Sequence, residues 1–452
     1  MISLLLLALA GAVYFLLVWL FVRNFMLAWI CVLAVNLLNF TVGTDQLLLA
    51  GVHLNPVDAL YFCLLPAGII RSRFHELRFS ALNLLIVSYV LLFFFSVARG
   101  LAIFSLTTVG NEARGLIGEV LALLYFTTIP PSIKIVKKVV LAQIVFSAAL
   151  VLVCIAHYAG LQVGGSVGVN GNTSLTEGML DRALPASAAA SIEISLLFAA
   201  SWAVYRKHSQ WLPVAVVLFT AAVVILQHRS VWSMLLVSLL AALFIDPKIL
   251  RYLVKHVWIF AAVAGLAGVL FIGFQNRFTG ELKESATNSD TLQWRFESWE
   301  RSIEENESVV TMLIGQPVGS GYTRIDTNSG GYTEYPPHNE FITQYLRVGV
   351  IGSGLLMVFL LWPIYGYFRS ADSGALLYPT PAAWVFATIG VIVFCIPYSS
   401  SVELIGLVAM ATSLIDVPAT LPRRVARVRQ HAKVGPGLEQ LTAHPDATPA
   451  ST

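Results

Sequence analysis

Long apolar runs recur along almost the whole chain, and they restrict it to folds that cross a membrane many times. Of its 452 residues, 57% are hydrophobic and only 12% are charged. A helix of about 20 apolar residues spans the roughly 30 Å hydrocarbon core of a bilayer. Thirteen such runs lie near residues 2–22, 25–42, 56–70, 79–98, 115–130, 139–158, 184–204, 211–226, 231–245, 256–274, 339–365, 380–397 and 400–417. The sequence therefore predicts an all-α polytopic membrane protein with about 12–13 transmembrane helices.

The longest polar interruption between these runs is a 64-residue segment, 275–338. It divides the chain into N-terminal transmembrane helices over 1–274, a large loop over 275–338 and C-terminal transmembrane helices over 339–420. Residues 421–452 are basic at first and then poor in apolar side chains, as expected of a membrane-surface anchor that runs into disorder. We predict that this tail is cytoplasmic.

Lysine and arginine collect in alternate loops, and short basic loops stay on the cytoplasmic side. An even number of predicted crossings separates the basic groups, which are Arg71, Arg73 and Arg78; Lys134, Lys137 and Lys138; Arg206 and Lys207; Lys248, Arg251 and Lys255; Arg369; and the tail. The loop over 275–338 then faces outward, with five basic and ten acidic residues. The net charge of +3 thus reflects topology and does not indicate nucleic acid as a partner.

The large loop contains a predicted amphipathic helix between Ser289 and Glu307, because apolar residues recur there at spacings of three and four. Arg295 and Trp299 are one turn apart on it, so the indole can hold the guanidinium in place. The alternative is an arginine on a solvated helix face. The loop also contains the turn Gly315-Gln-Pro-Val-Gly-Ser-Gly321, whose missing side chains would let backbone approach a ligand. It lacks the Lys-Ser/Thr of a nucleotide P-loop.

A histidine stands where the loop meets the next apolar run. Asn339 is a suitable N-cap for the helix that re-enters the membrane, which puts His338 at the helix N-terminus. The positive end of the helix dipole should favour the neutral imidazole that a general base needs. Taken alone, a histidine at this position is more often a polar interface residue than a base.

Two further charges are candidates for function. Arg229 lies in a tight outer turn, Gln227-His-Arg-Ser230, where it could bind a phosphate through two parallel hydrogen bonds or simply reach lipid headgroups. Glu403 follows Tyr398-Ser-Ser-Ser401 near the outer end of the last helix pair and could contact an acceptor. Carboxylates inside a membrane are costly unless paired, so Glu403, like Asp58, could instead belong to a structural pair.

These elements, in this order, resemble the O-antigen ligase and Wzy polymerase superfamily from roughly Trp211 to Gly354. The similar segments are His228-Arg-Ser-Val-Trp232, Arg295-Phe-Glu-Ser-Trp299, the glycine turn, and His338-Asn339 with Gly349 and Gly352. The resemblance implies an inverting glycosyltransferase that needs no metal or other cofactor and uses a glycan carried on undecaprenyl pyrophosphate. His338 would be the catalytic base, and Arg229 and Arg295 would hold the pyrophosphate. Trp299, Asn339 and Glu403 would support the site or contact the acceptor.

The resemblance leaves several reactions open. We favour a polymerase that joins O-antigen or exopolysaccharide repeat units, with a ligase to lipid A core as the alternative and a protein O-glycan transferase or a flippase as less favoured. The implied setting is the bacterial inner membrane, with the active site facing the periplasm. Expected partners are the lipid-linked glycan, a glycan or lipid acceptor, membrane lipids, and a chain-length regulator and a flippase of the same pathway.

Overall fold

The computed structural model describes residues 2–41, 47–49, 52–54, 56–74, 81–161, 163–164, 183–206, 210–226, 228–255, 290–304, 306, 308–322, 324–325, 332–333, 337–369 and 374–415. Its helices are α1 (Ile2–Arg23), α2 (Phe25–Thr41), α3 (Pro56–Phe74), α4 (Ala81–Ile103), α5 (Leu106–Phe126), α6 (Ile133–Tyr158), α7 (Ala186–Arg206), α8 (Trp211–Ile225), α9 (Arg229–Ile245), α10 (Asp290–Glu304), α11 (Val309–Ile314), α12 (Glu340–Arg369), α13 (Pro381–Phe394) and α14 (Val402–Ile415). Two antiparallel hairpins lie in loops, β1 (Leu47–Leu49) with β2 (Val52–Leu54), and β3 (Arg324–Ile325) with β4 (Tyr332–Thr333).

The predicted all-α polytopic fold is confirmed. Among the described helices, α4, α6, α7 and α12 are long and apolar enough to cross a membrane, and several shorter helices are also apolar. Every predicted span except 256–274 contains a described helix, while that span and the tail over 421–452 lie outside the described residues. The helices α10 and α11 confirm that the large loop is partly helical. The division of the chain at 274, 338 and 420 stays a prediction.

One predicted boundary is wrong for an informative reason. The apolar pattern predicts the fifth span at 115–130, but α5 begins at Leu106, after a Ser105 cap whose hydroxyl accepts from the Thr108 amide at 3.2 Å. The first half of α5 is polar, which hides it from a hydropathy reading. Its charges are nevertheless paired within the fold, Glu112 with Arg347 and Arg114 with Asp58. Paired charges let a helix continue where single charges would be costly.

The helix α14 is the centre of the bundle, and it packs against α2, α5, α7, α12 and α13. Nearly all of its side chains are buried. Close packing is possible because Gly406 faces aromatic neighbours: a Cβ there would lie 2.8 Å from a Phe126 ring carbon and 3.2 Å from the Trp29 ring. The absent side chain therefore lets α14 approach α2 and α5.

The helices alternate between two ends of the bundle. At one end of the bundle, the Lys137 ammonium lies 5.7 Å from the centre of the Trp202 ring, and the Tyr205 hydroxyl donates to Asp246 Oδ2 at 2.6 Å. We call this the basic end; it comprises residues 23–24, 71–72, 127–138, 205, 246–255, 374–380 and 413–415. The opposite end comprises residues 183–184, 228–229, 337–340 and 395–401. The described basic loops therefore share one end, as predicted, and His338 and Arg229 lie at the other.

Candidate active site

The start of α12 is fixed by a side-chain cap. The Ile342 amide donates to Asn339 Oδ1 at 3.1 Å, and the Asn339 amide donates to the Pro337 carbonyl at 2.7 Å. Asn339 is buried. The prediction that Asn339 caps this helix is confirmed, and the cap fixes the backbone that carries His338.

The first residue of α12 ties this helix to the segment between α13 and α14. The Glu340 amide donates to the Cys395 carbonyl at 2.9 Å, and Glu340 Oε2 accepts from the Ser400 amide at 3.2 Å. Its other oxygen accepts from Gln344 Nε2 at 2.6 Å. Glu340 is only 1% exposed, so these hydrogen bonds form in a protected environment. The 395–401 segment and the start of α12 therefore form one unit.

Tyr398, on that segment, is the point where two predicted site residues meet. The His338 ring lies 6.0 Å from the Tyr398 ring, centre to centre, and the Arg295 guanidinium carbon lies 5.3 Å from the same ring centre. Phe394 stacks on Tyr398 with an interplanar angle of 11°, which holds the ring in place. The fold thus brings the predicted base and one predicted phosphate-binding arginine together, although they come from different helices.

The Arg295 guanidinium is held by a different ring from the one predicted. Trp299 is buried and makes an edge contact with Phe296 at 5.2 Å, while the ring that Arg295 covers is Tyr398. Among the described residues, the Arg295 Nε–H is buried and has no hydrogen-bond partner. A buried donor without a partner costs about 1–3 kcal/mol, which an anionic ligand would recover. Arg295 is therefore suited to bind an anion beside His338.

Arg229 lies at the same level of the bundle. The Ser238 hydroxyl donates to the Phe386 carbonyl at 3.4 Å, and Gly390 faces Met234, so α9 and α13 run antiparallel. This antiparallel packing puts the start of α9 at the same end of the bundle as the end of α13. Arg229 is exposed there, after a His228 cap residue whose Nε2 lies 3.0 Å from the Leu184 carbonyl. Arg229 therefore lies at the same end of the bundle as the segment that carries Tyr398.

The glycine turn packs against helices. Glu112 Oε2 accepts from the Gly319 and Gly321 amides at 2.9 and 3.0 Å. A Cβ on Gly315, whose φ is +79°, would lie 2.3 Å from the carbonyl carbon of Arg347 in α12. The described contacts explain why glycine is needed in this turn: its backbone packs closely on α5 and α12, where a side chain would not fit at Gly315. The prediction that this backbone approaches a ligand stays a prediction.

Arg347 locks this turn in place. Its guanidinium pairs with Glu112, donates to Gln316 Oε1 at 3.2 Å and Ser320 Oγ at 3.0 Å, and donates to the Gly321 carbonyl. It also lies 4.1 Å from the centre of the Tyr322 ring. Burial raises the pKa of Tyr322 to about 12, although the nearby guanidinium opposes this shift. Arg347 is fully buried and bonded within the protein, so it is a structural residue.

Glu403 lies inside the bundle. It is fully buried, and Asn36 Nδ2 donates to its Oε2 at 2.6 Å, while the Tyr61 hydroxyl donates to Asn36 Oδ1 at 2.9 Å. These bonds link α14 to α2 and α3. Glu403 is thus placed to support the fold beneath the 395–401 segment, and contact with an acceptor stays a prediction.

Removal of the cap on α12 should have a moderate effect on stability. Asn339→Ala is expected to lower the free energy of unfolding by about 1 kcal/mol, because the Ile342 amide loses its acceptor. Asn339→Asp keeps a side-chain acceptor and is the matched control. Unfolding in detergent micelles measures both variants. Equal stability of Asn339→Ala and the wild type would show that the cap contributes nothing.

Comparison with known protein families adds one finding. A family model described as O-antigen ligase matches residues 214–357. The matched segment contains Arg229, Arg295, Trp299, His338 and Asn339, and it ends before Tyr398 and Glu403. The predicted resemblance to this superfamily is confirmed. No curated protein gives a significant match to the chain.

Proposed function

We propose, from the match of residues 214–357 to the O-antigen ligase family model, that the chain is an inverting glycosyltransferase acting on a lipid-linked glycan. The observation that carries the proposal is the convergence of His338 and Arg295 on one aromatic ring, Tyr398. A base and a cation held on neighbouring positions suit a reaction in which one oxygen loses a proton while another gains negative charge.

The proposed reaction moves a glycan from undecaprenyl pyrophosphate to an acceptor hydroxyl. His338 removes the hydroxyl proton, and the acceptor oxygen forms a bond to the anomeric carbon from the face opposite the leaving group. The bond between that carbon and the pyrophosphate oxygen breaks, and the electron pair stays on the pyrophosphate. Attack from the opposite face inverts the anomeric configuration.

Arg295 and Arg229 are assigned to the pyrophosphate. A guanidinium remains charged and donates two parallel hydrogen bonds to a phosphate, so it stabilises charge that develops on the leaving group. The Arg295 Nε–H, which is buried and has no hydrogen-bond partner among the described residues, supports this role. In this mechanism the two arginines supply the positive charge, and we propose that neither a metal nor another cofactor takes part.

The proposed site lies at the periplasmic face of the bacterial inner membrane. The separation of charge along the bundle supports this orientation, because the described basic loops share the basic end and short basic loops stay in the cytoplasm. His338 and Arg229 lie at the opposite end, where a lipid-linked glycan would be presented after it has crossed the membrane. A flippase and a chain-length regulator of the same pathway are the proposed protein partners.

Polymerisation of O-antigen or exopolysaccharide repeat units is the reaction we favour. The match to an O-antigen ligase family supports transfer to lipid A core as the second candidate. Glycans from a strain that lacks the gene separate the two. Single repeat units on the core indicate a polymerase, whereas polymer that stays on the carrier above an uncapped core indicates a ligase. If the deletion changes neither the length of the glycan on the core nor the amount of polymer on the carrier, the proposal is contradicted.

Substitution of Arg295 tests the phosphate assignment. Arg295→Ala is expected to reduce the transfer rate about 10²-fold, because one preorganised donor to the leaving group is lost. Arg295→Lys keeps the charge but not the planar fork and should recover only part of the rate. The control is Arg251→Gln, an exposed arginine at the basic end. Transfer by purified protein measures all three, and a normal rate for Arg295→Ala would overturn the assignment.

A further inference from the structure

A cavity of about 600 Å³ opens at the basic end, on the opposite side of the membrane from the candidate active site. It lies between the end of α1, the start of α2, the end of α3 and the start of α6. Three of its lining residues are basic, namely Arg23, Arg71 and Lys138, and none of the described residues that line it is acidic. The cavity therefore has a strongly positive interior.

The floor of this cavity is rigid. Arg71 is 4% exposed, and its guanidinium donates to Thr128 Oγ1 at 2.9 Å and to the carbonyls of Val22 and Thr128 at 2.8 and 3.0 Å. It lies over the Phe25 and Tyr125 rings, which stack on each other with an interplanar angle of 4°. A buried guanidinium fixed in this way is a built part of the cavity and gives it a permanent positive charge.

The rim adds cations and a helix N-terminus. Arg23 and Lys138 are exposed at the opening. The residues Asn24, Phe25 and Met26 also line the cavity, so the positive end of the 17-residue helix α2 points toward it. Two exposed cations above a buried one, beside a helix N-terminus, form a site that favours a phosphate group.

Apolar surface leads away from this site along one face of α1. Arg23, Trp19 and Phe15 are spaced four residues apart, which puts them on one line along the helix. The Arg23 guanidinium lies 4.9 Å from the Trp19 ring, and the Trp19 and Phe15 side chains are 50% and 72% exposed. A soluble phosphate would make no use of this stripe, whereas an acyl chain would lie along it.

We propose that this cavity binds the phosphate headgroup of an anionic phospholipid, with an acyl chain lying along the Phe15, Trp19 and Arg23 face of α1. Basic pockets between transmembrane helices at a cytoplasmic surface have the chemistry that such headgroups need. The site is independent of the glycan chemistry proposed above. It would anchor α1, α2, α3 and α6 to one lipid at the end of the bundle remote from His338.

Native mass spectrometry of the purified full chain tests this site, with phosphatidylglycerol, phosphatidylcholine and inorganic phosphate as separate probes. The wild type is expected to retain phosphatidylglycerol in preference to phosphatidylcholine. The double variant Arg23→Gln/Lys138→Gln should bind phosphatidylglycerol roughly thirtyfold more weakly, because two cations near the headgroup are lost. The matched control is Arg251→Gln/Lys255→Gln, which removes two exposed charges from the same end outside the cavity.

Each result has one meaning. Loss of binding in the cavity variant but not in the control supports the site. Equal binding by the cavity variant and the wild type, or an equal loss in the control, would overturn it. Displacement of the lipid by millimolar inorganic phosphate would show that the cavity takes a soluble anion, which contradicts the assigned source. The Arg71 side chain is left unchanged because its bonds hold three helices together.

Discussion

Replacement of His338 with alanine is expected to reduce glycosyl transfer about 10²–10⁴-fold, the range that a positioned general base contributes. The side chain is exposed, so its loss should leave expression and membrane insertion intact. The cap on α12 uses Asn339, and the tie to the 395–401 segment uses Glu340, so neither depends on the imidazole. Transfer from a lipid pyrophosphate-linked glycan by purified protein in proteoliposomes measures the effect.

A second histidine offers the matched control. His157, at the end of α6, has its Nδ1 2.9 Å from the Val163 carbonyl and has no assigned role in the reaction. His157→Gln should keep the wild-type rate within about a factor of two, as expected of a substitution outside the machinery. Near-normal product from the His338→Ala protein would exclude His338 as the base.

Replacement of Arg347 with methionine is expected to lower the free energy of unfolding by about 3–5 kcal/mol, because it leaves the Glu112 carboxylate buried without its cation. The Arg347 side chain is fully buried and the Glu112 side chain is 9% exposed, so water screens the pair little. The same substitution removes the donors to Gln316, Ser320 and Gly321. Unfolding in detergent micelles measures the loss, and hydrogen exchange should increase first over residues 315–321.

A second ion pair on α5, the helix that carries Glu112, provides the control for this effect. Arg114 Nε lies 2.8 Å from Asp58 Oδ2, but the Arg114 side chain is 23% exposed. Solvent screens this pair more, and the glutamine keeps an amide donor near Asp58, so Arg114→Gln should lower the free energy of unfolding by less than Arg347→Met does. Equal losses for the two arginine variants would contradict the conclusion that Arg347 locks the glycine turn from within the protein.

Local signals in the sequence were sufficient for the helices and for the cap. Apolar runs placed helices such as α4 and α13, and Asn339 before an apolar run predicted the start of α12. The same signals failed at α5, where Glu112 and Arg114 made a helix look like a loop. Their partners are Arg347 and Asp58, and a hydropathy pattern along one segment contains nothing about pairing across the bundle.

The candidate site was only partly predictable for a similar reason. Arg295 and His338 were identified from their positions beside a tryptophan and a helix start, and the fold brings them together. Tyr398 was missed as the ring between them, because its role depends on contacts with α10 and with the start of α12. The one local signal was its place in Tyr398-Ser-Ser-Ser401, directly before α14. Trp299 was the nearer aromatic residue in sequence but not the ring that Arg295 covers.

The most direct test of the central claim is a structure of the protein with bound undecaprenyl pyrophosphate. We expect phosphate oxygens within hydrogen-bonding distance of Arg295, Arg229 beside the same phosphate group, and His338 facing the space next to that group across the Tyr398 ring. Pyrophosphate bound elsewhere, with Arg295 and His338 remote from it, would contradict the assignment of this site to glycosyl transfer.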